Sequence, residues 1–264
     1  VERPLHLPQS PLGGEHPDPV PYADVIMSTT HKTFRGPRGA MILVTERGLE
    51  RDAKLGGKIN SAIIPGLQGG PHNASVAGIA LAAAEAMQPS FQEYAKQIRR
   101  NAKVMAQSIM DNGLKLVGDG TENHLMVVDF TPFSDGLGTQ VAWALDVAGI
   151  YANRNAIPNE PCSPFYPSGL RVGTPLVTTR GMKEAEMTQI GAWIAAVTHH
   201  VKDATLPENS KERGAFIKQF QQDALADKTL LAIREEVKAV ATRFPLFAEP
   251  EAVTSSNGHV AVAA

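Results

Sequence analysis

The chain has 264 residues, with 25 Lys and Arg against 27 Asp and Glu for a formal charge of −2. That length holds one large domain or two ordinary ones, and the balanced charge without a long basic run argues against nucleic acid or an anionic membrane as main partner and for a small molecule. The single cysteine, Cys162, excludes an intrachain disulfide framework and a Cys-based zinc site, and no run approaches the roughly 20 apolar residues of a membrane span or the layout of an export signal, so a cytoplasmic protein is expected.

Residues 1–21 are rich in proline and read as extended or irregular chain. A first strand is expected over Ala23 to Met27 and a second in "GAMILVTERG", closed by a glycine turn, with a short polar helix over Leu49 to Gly56. "NASVAGIALAAAEAM" and "SFQEYAKQIRRNAKVMAQSIMDNG" predict one long helix or two consecutive ones, ending at the Asn-Gly pair. "LKLVGDG" and "HLMVVDF" read as adjacent strands, "GTQVAWALDVAGI" as a helix, "SGLRVGTPLVTT" as a strand, and "RGMKEAEMTQIGAWIAAVTHHV" as a helix. Residues 203–243 are charged with helical periodicity, and the small, polar stretch after them reads as a disordered tail. The layout is α+β, helices over a small sheet, with no internal repeat.

Three stretches carry possible chemistry. In "MSTTHKTFRGPRGAMILV", Lys32 stands in a strand-to-strand loop among Thr29, Thr30, Thr33 and His31. A neutral lysine amine forms imines with carbonyl compounds, the threonines supply hydrogen bonds and His31 can orient a bound ring; a solvated lysine beside a turn is the competing reading. "PGLQGGPHN" puts Gly66, Gly69 and Gly70 ahead of a helix, where backbone N–H groups can approach a phosphate, or where a tight turn is all that is needed. In the proline-rich run from Tyr151 to Pro175, Arg171 lies between apolar strand neighbours, where it would need either a ligand carboxylate or an internal acid as partner. Asn153, Asn155 and Asn159 read as ligand contacts or as turn formers. The eight histidines show no metal-ligand spacing, His199 and His200 read as solvated and His72 as a helix-start contact, Cys162 lacks an evident base, and Trp143 and Trp193 read as core.

In their order and separations, "STTHKTFRGPRGA", "PGLQGGPHN", "NRNAIPNEPCSPF" and "SGLRVGTPLVTTRG" closely resemble serine hydroxymethyltransferase, a fold-type I family using pyridoxal 5'-phosphate. "GTENHL" and "RFPLFA" extend the likeness from about Gly14 to Ala248, over the C-terminal half or so of that family. The resemblance implies that Lys32 holds the cofactor, that Thr29 and His31 line it, and that Arg38 belongs to the family's Gly-Pro-Arg-Gly turn. It further implies that Gly69 and Gly70 contact the cofactor phosphate across a dimer interface, that Arg171 holds the carboxylate of serine or glycine, and that Asn155 contacts the pterin of tetrahydrofolate. No metal is implied.

By the same resemblance, an α/β fold is expected: residues 1–85 as the C-terminal part of a large cofactor domain left incomplete, 86–248 as a smaller α+β domain, and 249–264 as a disordered tail. A homodimer or homotetramer follows from the family. The family's cofactor aspartate and ring-stacking histidine lie upstream of its lysine, and "VERPLHLPQSPLGG" does not show the aspartate, so weak or absent activity is expected of this chain alone. Ala74, where the family commonly has a histidine, and the charged stretch from Leu206 to Leu230 are further departures. A non-catalytic remnant that binds cofactor, folate or a full-length subunit, and a folate-independent aldolase of the same fold type, are the competing functions; "NRNAIPNEP" argues against the second.

Overall fold

A computed structural model describes residues 14–246. The expected disordered tail, 249–264, and most of the proline-rich start lie outside those residues. The first regular elements form an antiparallel hairpin, β1 (Val25–Thr29) and β2 (Ala40–Val44), in a register that pairs Met27 with Ile42 and Thr29 with Ala40. The first strand thus runs two residues later than the sequence suggests. Thr45, buried behind β2, caps the next helix by accepting the Gly48 N–H at 3.2 Å, while its own hydroxyl donates to the Ala23 carbonyl at 2.7 Å.

The single polar helix expected over Leu49 to Gly56 is replaced by two, α1 (Glu46–Arg51) and α2 (Leu55–Ser61). Asp52 takes an extended conformation between them, ending the first helix, and its carboxylate accepts the Lys54 N–H at 3.0 Å. A wide turn over Ala62–Leu67 leads to α3 (Asn73–Ala86), and Met87 and Gln88 separate it from α4 (Pro89–Asp111), whose first position is the proline. Two consecutive helices, not one long one, therefore follow the glycine-rich stretch.

The remaining strands form one antiparallel sheet in the order β3 (Lys115–Leu116), β4 (Leu125–Asp129), β6 (Gly169–Gly173), β5 (Asn153–Asn155). The Asn153–Asn155 strand departs from the loop expected there, and "LKLVGDG" contributes only two strand residues. Three helices complete the layer: α5 (Gly138–Val147), the short α6 (Pro175–Thr179) and α7 (Glu184–Val201). The charged segment then forms two helices, α8 (Arg213–Leu225) and α9 (Lys228–Ala241), with Asp227 capping the second through bonds from Thr229 and Leu230.

Met126, Val128 and Leu170 point from one face of the sheet into a continuous core with Met105 and Ile109 of α4, Val141 and Leu145 of α5, and Ile194 and Val197 of α7. Burial of these side chains, about 1.5–3 kcal/mol each, drives the layer together. Polar ties join α4 to the chain that follows β6: Thr174 donates to the Ile98 carbonyl at 2.9 Å, and Asn101 donates to Thr178 at 2.8 Å and to the Met182 carbonyl at 3.0 Å. Trp193 is core as expected, its indole N–H donating to Glu236 at 2.8 Å, whereas Trp143 is 41% exposed. His199 bonds the Asn112 carbonyl and His200 pairs with Asp227 at 2.8 Å, so neither is merely solvated. Among the described residues no helix is long and apolar enough to cross a membrane.

Candidate active site

The loop between β1 and β2 is folded by Thr30. Fully buried, this residue donates its N–H to the Gly39 carbonyl at 3.0 Å and its hydroxyl to the Pro37 carbonyl at 2.7 Å, and its carbonyl accepts the Gly36 N–H at 2.7 Å. Inside this closed loop the Lys32 carbonyl accepts the Arg35 N–H at 2.9 Å, and Arg35 has φ 62°, left-handed backbone uncommon outside glycine. The Lys32 side chain is exposed and has no salt bridge with any described residue. His31 Nδ1 accepts the Gly39 N–H at 3.5 Å, which requires that nitrogen to be unprotonated. Thr29 ends β1 and Arg38 lies exposed at the far side of the loop.

The loop rests on α3. A Cβ at Gly78 would stand 2.5 Å from Pro37 Cγ, one at Gly36 would meet the Ala82 methyl at 3.2 Å, and one at Gly39 would meet Ile79 at 3.1 Å. Glycines on both surfaces therefore let the loop and the helix approach closely. Gly69 and Gly70 do not join this contact. They are exposed in the link before α3, and a Cβ on either would meet no other described part of the chain within 4 Å. His72 occupies the N-cap position of α3 without a side-chain cap bond.

Arg171 sits on β6 opposite Val127 on one side and Asn153 on the other. Leu170 turns inward and is fully buried, and strand alternation sends Arg171 to the opposite, exposed face. No described acid pairs with it. Asn155 shares that face by the same alternation, donating its amide to the Ala156 carbonyl at 2.7 Å. Arg171, Asn153 and Asn155 line a cleft of about 470 Å³ together with Trp143 and Asp146 of α5. Burial raises the Asp146 carboxyl above its ordinary range.

Two residues of the site escape sequence reading. His124, in "GTENHL", is held below the usual imidazole range by burial and then by the positive charges of Arg171, His16 and Lys32. Its Nδ1 is buried with no hydrogen-bond partner among the described residues. One neutral imidazole therefore feels both Lys32 and Arg171, which are 139 positions apart. Glu160 gathers the loop after β5, accepting the N–H groups of Ile157, Cys162 and Ser168 at 3.2, 3.0 and 2.9 Å and the Ser168 hydroxyl at 2.6 Å. Burial pushes its carboxyl up, yet these bonds outweigh burial and leave it below its ordinary value. Burial, with Asp135 and Glu160, raises the Cys162 thiol.

The serine hydroxymethyltransferase family model matches residues 6–194. The chain belongs to the serine hydroxymethyltransferase family. It is 52% identical over 194 residues to a serine hydroxymethyltransferase of Acidothermus cellulolyticus, covering 73% of this chain and 43% of that relative. It is 50% identical over 198 residues to one of Sorangium cellulosum, covering 75% of this chain and 45% of the relative. The chain thus spans less than half the length of these curated relatives. The match ends within α7, so α8 and α9 lie beyond it.

Proposed function

We propose that this chain is the lysine-bearing and carboxylate-binding portion of a pyridoxal-5'-phosphate-dependent serine hydroxymethyltransferase, a fold-type I transferase that interconverts serine and tetrahydrofolate with glycine and 5,10-methylenetetrahydrofolate. The observation that carries the reading is the family match over residues 6–194, which takes in both Lys32 and Arg171. Lys32 offers a primary amine and Arg171 a guanidinium, and neither pairs with an acid among the described residues. Such a donor set fits a cofactor aldehyde on one side and an amino-acid carboxylate on the other.

In this reading Lys32 Nζ anchors the cofactor, Thr29 and His31 line it, and Arg38 stays with the loop as a further cofactor contact. The cofactor, when bound, supplies the electron sink for negative charge at the substrate Cα. Arg171 takes the substrate carboxylate through paired N–H groups, and its exposed position on the open face leaves that fork available. Asn155, on the same face, orients the pterin of tetrahydrofolate. Gly69 and Gly70, which no described residue covers, supply backbone N–H groups to the phosphate in a neighbouring subunit of a homodimer or homotetramer. Residues 1–85 belong to the large domain and 86–248 to the small one, the division falling in the last turn of α3, just before Met87 and Gln88 separate it from α4. A cytoplasmic location goes with this chemistry.

The test is the visible absorbance of the purified chain with pyridoxal 5'-phosphate, before and after borohydride, beside Lys32→Ala. A reducible band that depends on Lys32 supports the assignment. A band that persists in Lys32→Ala overturns it.

A further inference from the structure

Lys32 lies in the loop of the first hairpin and Arg171 on the second sheet, yet one helix touches the chain beside each. On the lysine side, the Arg35 guanidinium stands 4.3 Å from the centroid of the Tyr94 ring and 5.8 Å from that of Phe91, both in the first turns of α4. These two rings pack on each other with centroids 5.6 Å apart. On the arginine side, the Tyr94 hydroxyl accepts from Thr179 Oγ1 at 2.9 Å and reaches the Pro175 carbonyl at 3.4 Å, both in α6, which follows β6 after a single residue. Thr179 Oγ1 also lies 2.9 Å from the same Pro175 carbonyl, so its one hydroxyl proton is shared between the two acceptors.

Arg35 is also held in left-handed backbone, three residues after Lys32. That conformation is costly for a side chain with a Cβ, and glycine would adopt it without strain. A residue other than glycine at this position is explained by what its side chain does, and the contact it makes is with Tyr94 and Phe91. Tyr94 is half-buried; burial raises its phenol, against the opposing Thr179 bond and Arg35 charge, so it stays a neutral hydroxyl that serves both neighbours.

We propose that Arg35 and Tyr94 form a positioning pair that sets the Lys32 loop against the end of the Arg171 strand. The inference rests on the roles given to Lys32 and Arg171 above. Neither Arg35 nor Tyr94 touches cofactor or substrate in this scheme; each acts through the residue it holds.

The experiment uses the whole chain and four variants: Arg35→Gly, Arg35→Lys, Tyr94→Leu and the double variant Arg35→Gly/Tyr94→Leu. Amide hydrogen exchange is read at Thr30, Arg35 and Gly36, or at the glycine that replaces Arg35, whose N–H groups close the loop. Arg35→Gly relieves backbone strain, so a loop ordered by its backbone alone exchanges no faster. The positioning pair predicts exchange faster by about 2- to 5-fold, the factor matching an exposed cation–π contact. It also predicts a similar rise in Tyr94→Leu, no further rise in the double variant, and recovery in Arg35→Lys. Unchanged exchange in Arg35→Gly, or fully additive effects, overturns the pair.

A second readout is the fraction of Lys32 modified by pyridoxal 5'-phosphate and borohydride, located by mass spectrometry. It falls in Arg35→Gly and recovers in Arg35→Lys if the pair positions the amine. Equal modification in all variants overturns that role while leaving the lysine assignment intact. Absence of modification in the unsubstituted chain overturns the lysine assignment itself, so the two failures appear in different measurements.

Discussion

Glu160 accepts both the N–H and the hydroxyl of Ser168, at 2.9 and 2.6 Å, and so closes a loop whose two ends carry Asn155 and Arg171. Ser168 is fully buried and its hydroxyl oxygen also accepts the Gly136 N–H at 2.9 Å, which ties the loop to the start of α5. Glu160→Ala strands these donors, at a cost of about 1–3 kcal/mol. Cys162, the only cysteine, reports the change. Its alkylation by iodoacetamide is followed against pH, which separates thiol ionisation from access. The expected result is a higher limiting rate at alkaline pH in Glu160→Ala than in Glu160→Gln, which keeps an acceptor oxygen. Equal limiting rates in Glu160→Ala and the unsubstituted chain would show that Glu160 does not hold the loop.

Gly78 faces Pro37, and the 2.5 Å separation of its hypothetical Cβ from Pro37 Cγ leaves no room for a methyl group. Alanine gains about 1 kcal/mol of helix propensity over glycine, while overpacking typically costs about 1–3 kcal/mol. Gly78→Ala is therefore expected to lower stability to urea despite its better propensity, and Gly78→Val to lower it further. The same substitution at Gly57, where a Cβ meets nothing within 4 Å, is the control and is expected to stabilise α2. A stabilising Gly78→Ala would mean that the Lys32 loop does not rest on α3.

Asp129 gives the fold an acid-sensitive point. Burial raises its carboxyl, but Lys115 across the strand pair at 2.8 Å and two bonds from Thr131, at 3.0 and 2.7 Å, outweigh it, so its value lies below the usual carboxylate range. A group depressed in the folded state binds its proton more readily when unfolded. Its stabilisation is thus complete above the unfolded value, near pH 4, and is lost as pH falls through the lower folded value. Asp129→Asn is expected to be less stable to urea at pH 7, with the gap to the unsubstituted chain narrowing by pH 3. A gap that stays constant over that range would remove Asp129 from the account of acid lability.

The Lys32 hairpin was legible because two apolar strands flank a Gly-Pro-Arg-Gly turn, and the Arg171 strand because its apolar alternation is strong. That same alternation fixes the face of Arg171: with Leu170 inward, its neighbour must face outward. The Asn153–Asn155 strand was not legible, since three polar residues become a strand only by backbone pairing with β6, which leaves no mark in side-chain type. Glu160 and His124 were hidden for a related reason. One gathers backbone N–H groups whose convergence depends on loop conformation, and the other owes its depressed value to burial and to charges distant in sequence.

The hairpin also carries an apolar face that the described residues leave open. Met27 and Ile42 are cross-strand partners, 36% and 40% exposed, with Val25 at 39% beside them, and Leu43 on the opposite face is 53% exposed. Contiguous apolar surface of this kind favours association, and an open two-stranded edge adds unpaired backbone groups. Sedimentation velocity at micromolar concentration is expected to show self-association of the chain. Met27→Glu with Ile42→Lys puts an opposite-charge pair at the same register position, which maintains cross-strand attraction while making the face polar. The double variant is expected to sediment as a monomer with unchanged far-ultraviolet circular dichroism. If the unsubstituted chain is already monomeric, the face is adequately solvated as it stands; if the double variant associates equally, the contact lies elsewhere on the molecule.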